Sequence, residues 1–336
     1  MLEEYIEIAQ KGTDLTADQM QQAIVWMLAG RADDDQIGKL LLALRAKGES
    51  VSEMVGAARG MRLMMTPIRS RRTGLLDTCG TGGDGSGTFN ISTATAIVTA
   101  ACGVPTAKHG NRKITSATGS ADVLACLGVA IEAERKQVER CLDDLGLCFC
   151  FAPMLHPAMK HVGQVRRQLG VPTLFNYLGP LCNPANATFQ VIGTGRSDLQ
   201  MKIAATLVQL PIEAAIVVRG HDGMDEVTLS ADTSVYHIQY GMLTQSTWEP
   251  KSFGLEPIKV EDLSVAGPEE SAERIREILG GQLGPSRDIV LANTAAGLWV
   301  SSKTHSLQEG VELARRAIDT GAAAHLLSQL AELSHA

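Results

Sequence analysis

Aromatic residues make up only 4% of this 336-residue chain, although hydrophobic residues of all kinds reach 45%. A core short of rings must close with aliphatic and small side chains, and 33 glycines point to tightly packed helices and close backbone approaches. Basic charge is also scarce: the net charge is -7. General nucleic-acid binding normally needs a basic surface, so that class is set aside, and any anion site must be local. Long apolar runs are missing too. Nothing approaches the ~20 apolar residues that span a bilayer, and the acidic start Met1-Leu2-Glu3-Glu4-Tyr5 leads no apolar stretch, so neither membrane association nor a signal peptide is expected. The seven cysteines, at 79, 102, 126, 141, 148, 150 and 182, show no zinc-finger spacing. Their number is odd and most sit in apolar runs such as Leu147-Cys148-Phe149-Cys150-Phe151. They read as reduced core residues of a cytoplasmic protein.

The length fits about two domains. Residues 1 to about 68 read as helices only. Thr16-Ala17-Asp18-Gln19 and Ser50-Val51-Ser52-Glu53 match the capping-box pattern, and Ile37, Leu40, Leu41 and Leu44 share one helical face. Helices this short are expected to pack together and to offer an apolar face elsewhere, for instance to a second copy of the chain. Thr66-Pro67 through Arg72-Thr73-Gly74 reads as a linker, with Arg69, Arg71 and Arg72 as a solvated basic cluster.

After Gly74 strands alternate with helices. Strands are predicted at Leu75–Asp77, Val104–Ala107, Phe189–Gly193, Ala214–Arg219 and, late, Ile289–Leu291; helices at 90–102, 197–210, 269–279 and 307–318. That alternation implies an α/β fold with helices on the faces of a sheet. The polar stretch 234–244 reads as an antiparallel extension. The predicted division is a helical unit over 1–72, and an α/β unit over 73–336.

Three segments carry chemistry. Gly80-Thr81-Gly82-Gly83-Asp84-Gly85-Ser86-Gly87-Thr88 lies between a strand and a helix. Glycines allow positive φ and close approach, and backbone N–H groups at a helix start favour anions, so this is a phosphate cradle. Gly80-x-Gly82-x-x-Gly85 mimics the dinucleotide fingerprint, but no acid follows about 20 residues later; the region ends in Lys108. The P-loop pattern fails as well, since no Gly-Lys-Ser/Thr is present. Lys108-His109-Gly110-Asn111-Arg112-Lys113-Ile114-Thr115-Ser116 follows the second strand. Ligands gather at such strand ends, and its three fixed cations suit diphosphate oxygens. Gly119-Ser120-Ala121-Asp122 then opens a helix. Gly220-His221-Asp222-Gly223-Met224-Asp225-Glu226 places three carboxylates at a strand end, a set that suits Mg²⁺. His156, before Pro157, reads as a helix-start histidine, and Cys79, with no paired histidine evident, is not read as a nucleophile.

Together and in this order, these segments resemble the anthranilate phosphoribosyltransferase family. The matching stretches are Gly80–Asp84, Thr88-Phe89-Asn90-Ile91-Ser92-Thr93, Lys108–Arg112, Gly119–Asp122, Leu178-Gly179-Pro180-Leu181 with Asn183-Pro184-Ala185, and Asp222–Glu226. The resemblance implies a small all-helical N-terminal domain, completed by helices near 160–185, joined to a larger α/β domain with a central, mainly parallel sheet. It implies a homodimer through the N-terminal helices. It also implies transfer of a phosphoribosyl group from phosphoribosyl diphosphate to anthranilate, a step of tryptophan synthesis. Gly80, Gly83, Asp84, Thr88, Asn90, Ile91, Ser92, Thr93, Lys108 to Ser116 and Ser120 would surround the donor. Ser92, Asp225 and Glu226 would bind Mg²⁺. Asn111 and Arg166 would contact anthranilate, with His109, Gly80 and Pro180 close by, and Lys108, His109, Asn111 and Arg112 would carry the catalysis. Lys113-Ile114-Thr115, Tyr177 and Cys182 depart from the family pattern without removing a ligand. Two rivals share parts of this picture: a pyrimidine nucleoside phosphorylase of related fold, and a non-catalytic phosphoribosyl-diphosphate-binding regulator. The first would not need the Lys108–Arg112 run or the Asp225–Glu226 pair, and the second would not need to keep both.

Overall fold

The structure, a computed structural model, describes residues 2–113 and 118–336. The chain starts with four helices, α1 (Leu2–Gln10), α2 (Ala17–Leu28), α3 (Asp34–Lys47) and α4 (Val51–Met64). The two expected capping boxes form, and a third, Asp33 with Gln36, opens α3. Glu53 does more than cap α4. Fully buried, it accepts the Leu15 amide at 2.9 Å and the Lys47 ammonium at 2.7 Å, so it also pins the α1–α2 turn. The glycines of α4 set how closely it meets α2. A Cβ on Gly56 would lie 2.2 Å from the Ala17 carbonyl oxygen, and one on Gly60 would lie 2.8 Å from Ile24. Ile37, Leu40, Leu41 and Leu44 are all buried, as their spacing predicts.

Seven strands follow: β1 (Leu76–Asp77), β2 (Thr106–Gly110), β3 (Leu147–Phe151), β4 (Phe189–Gly193), β5 (Ala214–Gly220), β6 (Thr233–Gln239) and β7 (Met242–Trp248). Their order is β3-β2-β1-β4-β5-β6-β7. The first five are parallel, and β6 and β7 are antiparallel, the extension expected around 234–244. Strand β3 is the apolar cysteine run; buried at every position, it carries no alternation that would mark it as a strand. The helices are α5 (Ile91–Ala101), α6 (Ser120–Cys126), α7 (Arg135–Leu145), α8 (Ala152–Leu155), α9 (Lys160–Leu169), α10 (Ser197–Leu207), α11 (Pro268–Leu279), α12 (Pro285–Val300), α13 (Leu307–Asp319) and α14 (Ala322–Ser334). The late strand expected at Ile289–Leu291 is an error: those residues lie inside α12. Gly284-Pro285 starts that helix and nearly all of it is buried. A helix apolar on every side looks like a buried strand when only three β-prone residues are read.

Strand pleating divides the sheet between two cores. Val191, Ala214, Ile216 and Val218 join the core under α5 and α11 to α14. Ile192, Ala215 and Val217 join the core shared by α10, α9 and the N-terminal helices. The linker arginines are exposed but not loose. Arg71 meets the Asp143 carboxylate at 3.0 Å, and Arg72 donates to the carbonyls of Asp143 and Asp144 at the end of α7, where a helix terminus favours cations. The chain leaves β1 toward β2 and β3, then returns to lay β4 on the other side of β1. Neighbouring strands whose connections diverge open a crevice at their carboxyl ends.

Candidate active site

The glycine run fills that crevice. Gly82, Gly83, Gly85 and Gly87 all take φ between 67° and 77°, the left-handed region that costs a Cβ-bearing residue most. The Thr81 amide donates to the Gly193 carbonyl at 2.8 Å, joining the loop to the end of β4. A Cβ on Gly193 would sit 1.5 Å from the Asp225 carbonyl oxygen, so the 222–226 turn and β4 meet backbone to backbone. At its far end the loop is pinned by Phe89 N to Leu263 O at 2.9 Å, and Asn90 N donates to Ser271 Oγ at 2.9 Å. Asn90 then caps α5 by accepting from the Thr93 amide. The loop thus spans about a dozen residues between β1 and α5, unlike the short turn of a dinucleotide fold.

Lys108, on β2, is buried at the base of the loop, where its ammonium donates to Ser92 Oγ at 3.0 Å and to the Thr78 carbonyl at 3.4 Å. Beneath it lies Asp77, which in the sequence shows only as the end of a strand. Asp77 is fully buried and accepts the His109 amide at 3.0 Å and the Asn183 side-chain amide at 2.7 Å. Asn183 also donates to the Ala107 carbonyl at 2.8 Å. One carboxylate therefore ties β1, β2 and the 179–185 segment together. Burial pushes its acid up to about 6, against the pull of Lys108 and of these hydrogen bonds. Asp77, Cys79 and His109 bring donor atoms within 4.8 Å of one another, but the Asp77 oxygens are engaged as just described. The trio is a hydrogen-bonded junction, not an open metal site.

A cation would fit on the other side of the loop. Asp225 accepts the Gly82 amide at 3.0 Å, and its own amide donates to Asp84 at 3.2 Å. Burial and the neighbouring Asp84 carboxylate push the Asp225 acid up to about 7. Burial and Asp225 push Glu226 well above the usual carboxylate range as well. Oxygen donors that repel one another in this way suit a hard divalent ion. Asp222, the third acid of the turn, is otherwise employed: it accepts from the Met224 amide, Thr228 and Ser230 and shapes the turn.

A cavity of about 810 Å³ opens above these groups. One wall is the glycine loop with Lys108, Asp225 and Glu226. The other is built from Met61 of α4, His156, Arg166 of α9, Phe175 and Pro180. Arg166 lies 5.4 Å over the Phe175 ring. His109 donates from Nδ1 to the Gly179 carbonyl at 3.0 Å, since a carbonyl can only accept; Nε2 is buried and has no partner among the described residues. His156 packs against it, ring centroids 5.2 Å apart. Burial lowers His109 to about 3 and His156 to about 4, so both rings are neutral. Cys79 borders the cavity with a thiol that burial pushes far up, which makes it a poor nucleophile.

Gly80, Gly83, Asp84, Thr88, Asn90, Ile91, Ser92, Lys108, His109, Gly110, Asn111, Arg112, Ser120, Arg166, Pro180, Asp225 and Glu226 all border this cavity. Thr93 does not: it is fully buried inside α5, because its place one residue past Ser92 turns it toward the core. Lys113 does not border it either; its side chain is exposed while its amide donates to Asp122 at 2.8 Å. Ile114, Thr115 and Ser116 lie outside the described residues. Arg112 reaches the rim, but its guanidinium meets Asp122 at 3.3 Å and Glu132 at 3.0 Å. His156 keeps the helix-start position expected of it and is a wall residue besides. Asp77 and Phe175 have no local signal beyond being a polar and an aromatic residue near a motif, and Asn183, though inside a matching stretch, takes no role from the resemblance.

Comparison with known proteins gives one consistent result. The model of the a/b domain of a glycosyl transferase family matches residues 72–324, and the helical bundle domain of that family matches residues 3–64. The chain is 56% identical over 324 residues to an anthranilate phosphoribosyltransferase of Rhodopirellula baltica, covering 96% of this chain and 95% of the relative. Its fold is similar to the crystal structure of an anthranilate phosphoribosyltransferase from Thermus thermophilus, with a TM-score of 0.93 and 39% identity over 99% of both chains. An anthranilate phosphoribosyltransferase from Saccharomyces cerevisiae in complex with PRPP and Mg is similar at a TM-score of 0.91 and 28% identity, over 99% of this chain and 98% of that one.

Proposed function

The chain belongs to the anthranilate phosphoribosyltransferase family, and from that premise we infer how its residues carry the reaction. Phosphoribosyl diphosphate and anthranilate are converted to N-(5-phosphoribosyl)anthranilate and diphosphate, a step of tryptophan synthesis. The amine nitrogen forms a bond to the anomeric carbon, the bond from that carbon to the diphosphate oxygen breaks, and the amine loses a proton. The observation that carries this reading is the pairing, in one cavity, of a positive-φ glycine loop with buried Lys108 on one side and the Asp225–Glu226 acids on the other.

The glycine loop offers backbone N–H groups to phosphate oxygens. Lys108, held by Ser92 and Thr78, faces the charge that grows on the departing diphosphate, the kind of electrostatic help that is usually the largest catalytic contribution. Ser92, Asp225 and Glu226 would hold Mg²⁺, which when bound neutralises diphosphate oxygens. Asn111, which borders the cavity, would contact both the donor and anthranilate. Arg112 joins the donor oxygens by giving up Asp122 or Glu132. On the acceptor wall, Arg166 takes the anthranilate carboxylate, with His109, Gly80 and Pro180 around the ring. Anthranilate's amine is neutral near pH 7, so no strong base is required; neutral His109 and His156 agree with that, and orientation matters most.

The helical unit over 1–72, completed by the 160–185 segments, and the α/β unit over 73–336 supply the two walls. Exposed Leu42 and Leu63 on α3 and α4 support a homodimer through the N-terminal helices. Seven free thiols support a cytoplasmic location, and among the described residues no helix is long and apolar enough to cross a membrane. The decisive assay mixes protein, Mg²⁺, phosphoribosyl diphosphate and anthranilate and follows anthranilate fluorescence. Consumption of anthranilate with diphosphate release is expected; a flat trace sinks the proposal.

A further inference from the structure

Four cationic side chains border the cavity; Lys160 is exposed, and the other three are held in different ways. Lys108 gives two of its three donors to Ser92 and Thr78. Arg112 is paired with two carboxylates. Arg166 makes no hydrogen bond or ion pair with any described residue; what it touches is the face of Phe175, 5.4 Å from guanidinium carbon to ring centroid. Burial lowers its affinity for its proton, as expected of a cation withdrawn from water without a partner.

The mode of support matters. A guanidinium presents its five N–H donors in its own plane. An Asp or Glu beside Arg166 would fix it by consuming those donors, and would place a negative charge where an anionic acceptor has to arrive. An aromatic face attracts the cation from above and leaves the in-plane fork free for a carboxylate. Phe175 is suited to the task because it is itself rigid. It is 7% exposed, and it sits in a one-turn helix, Leu174–Asn176, closed by Thr173 N to Asn176 Oδ1 at 3.0 Å and Asn176 N to Thr173 O at 2.8 Å. Arg45 of α3 holds the approach to that turn through the Pro172 carbonyl at 2.8 Å.

We infer that Phe175 is the positioning residue that sets the plane of Arg166, and through it the preference for aromatic amines that bear a carboxylate over those that lack one. The inference rests on the role given above to Arg166. The test is a double-mutant cycle of F175L and R166A, assayed by diphosphate release with anthranilate and with aniline, at saturating phosphoribosyl diphosphate and Mg²⁺. F175L is expected to raise the anthranilate KM about 3- to 30-fold, the range of a partly desolvated cation–π contact, with an unchanged KM for phosphoribosyl diphosphate. Added to R166A it changes the anthranilate KM no further, and by itself it costs anthranilate use more than aniline use, so the preference for anthranilate over aniline falls. F175Y, which keeps the ring, retains the wild-type anthranilate KM. If F175L melts well below the wild type, F175M removes the ring at similar volume and takes its place in the cycle. Multiplying effects of the two substitutions, or equal losses with both acceptors, overturn the inference while leaving Arg166 its role. An unchanged anthranilate KM in R166A overturns both.

Discussion

The two walls of the cavity are made of different materials. The donor wall is built on one continuous stretch of backbone, 80–90, whose shape is dictated by left-handed glycines, with Lys108, Asp225 and Glu226 set beside it. The acceptor wall is a set of side chains, Met61 from α4 and His156, Arg166, Phe175 and Pro180 from the distant 156–180 region. A backbone cradle recognises what all phosphates share, and little in it can drift. A side-chain wall recognises one shape, and it depends on supports behind it, such as the ring under Arg166 and the Asp77–Asn183 junction. On the assignment proposed above, reaction class is invested in the first wall and substrate identity in the second.

That contrast can be broken. The largest effect belongs to the donor wall. Asp225→Asn combined with Glu226→Gln keeps the size of both side chains and removes their charge, and is expected to cut Mg²⁺-dependent turnover by about 10³-fold, the scale of losing a principal electrostatic stabiliser. Wild-type rates, measured across a Mg²⁺ titration, would show that the acids do not hold the metal. Next comes the junction between the walls. Asp77→Ala strands the His109 amide and the Asn183 side chain, each buried polar group left unpaired costing about 1–3 kcal/mol. A lowered Tm is expected, together with impaired use of both substrates, since Asp77 serves β2 and the 179–185 segment alike; Asp77→Asn, which keeps an acceptor oxygen, is expected to lose less. A change confined to one substrate's KM would mean the walls are not joined there.

The smallest effect is a pH slope. His109 and His156 have folded pKa values of about 3 and 4, below the ~6.5 of an unfolded histidine. The unfolded chain then binds more protons between those values, so stability falls as pH drops below about 6.5 and continues falling down to about 4, by about 1.4 kcal/mol per pH unit for each ring. Asp77, raised to about 6, works in the opposite direction between its unfolded value of ~3.9 and about 6. The informative quantity is consequently the difference between wild type and His156→Asn. Thermal melts from pH 7 to pH 5 should show a shallower acid slope in the variant; parallel slopes would mean that His156 is not held neutral by burial.

Legibility follows the same division. Gly80–Thr88 and Lys108–Arg112 each announce their chemistry within a dozen residues, because positive φ demands glycine and a local anion site in an acidic chain demands clustered cations. Asp77 looks like the polar end of a strand until β2 and Asn183 close over it. Thr93 reads as a donor contact from its neighbours, but a helix turns each residue about 100° from the last, and that rotation sends Thr93 into the core while Ser92 faces the cavity. The false strand at 289–291 has a related origin: β-prone residues in a helix buried on all sides carry no periodicity to betray it.

The sequence by itself determined the α/β alternation, the helical N-terminus with its caps, the phosphate loop, and the charges that would meet a magnesium diphosphate, because each depends on residues a few positions apart. Tertiary structure alone decided that the diverging strands β1 and β4 would open the crevice, that Asp222 would shape a turn while Asp225 and Glu226 faced the cavity, and that Phe175 would lie under Arg166. Those outcomes depend on which distant segments share a core. Burial and pleating set that, and local spacing does not.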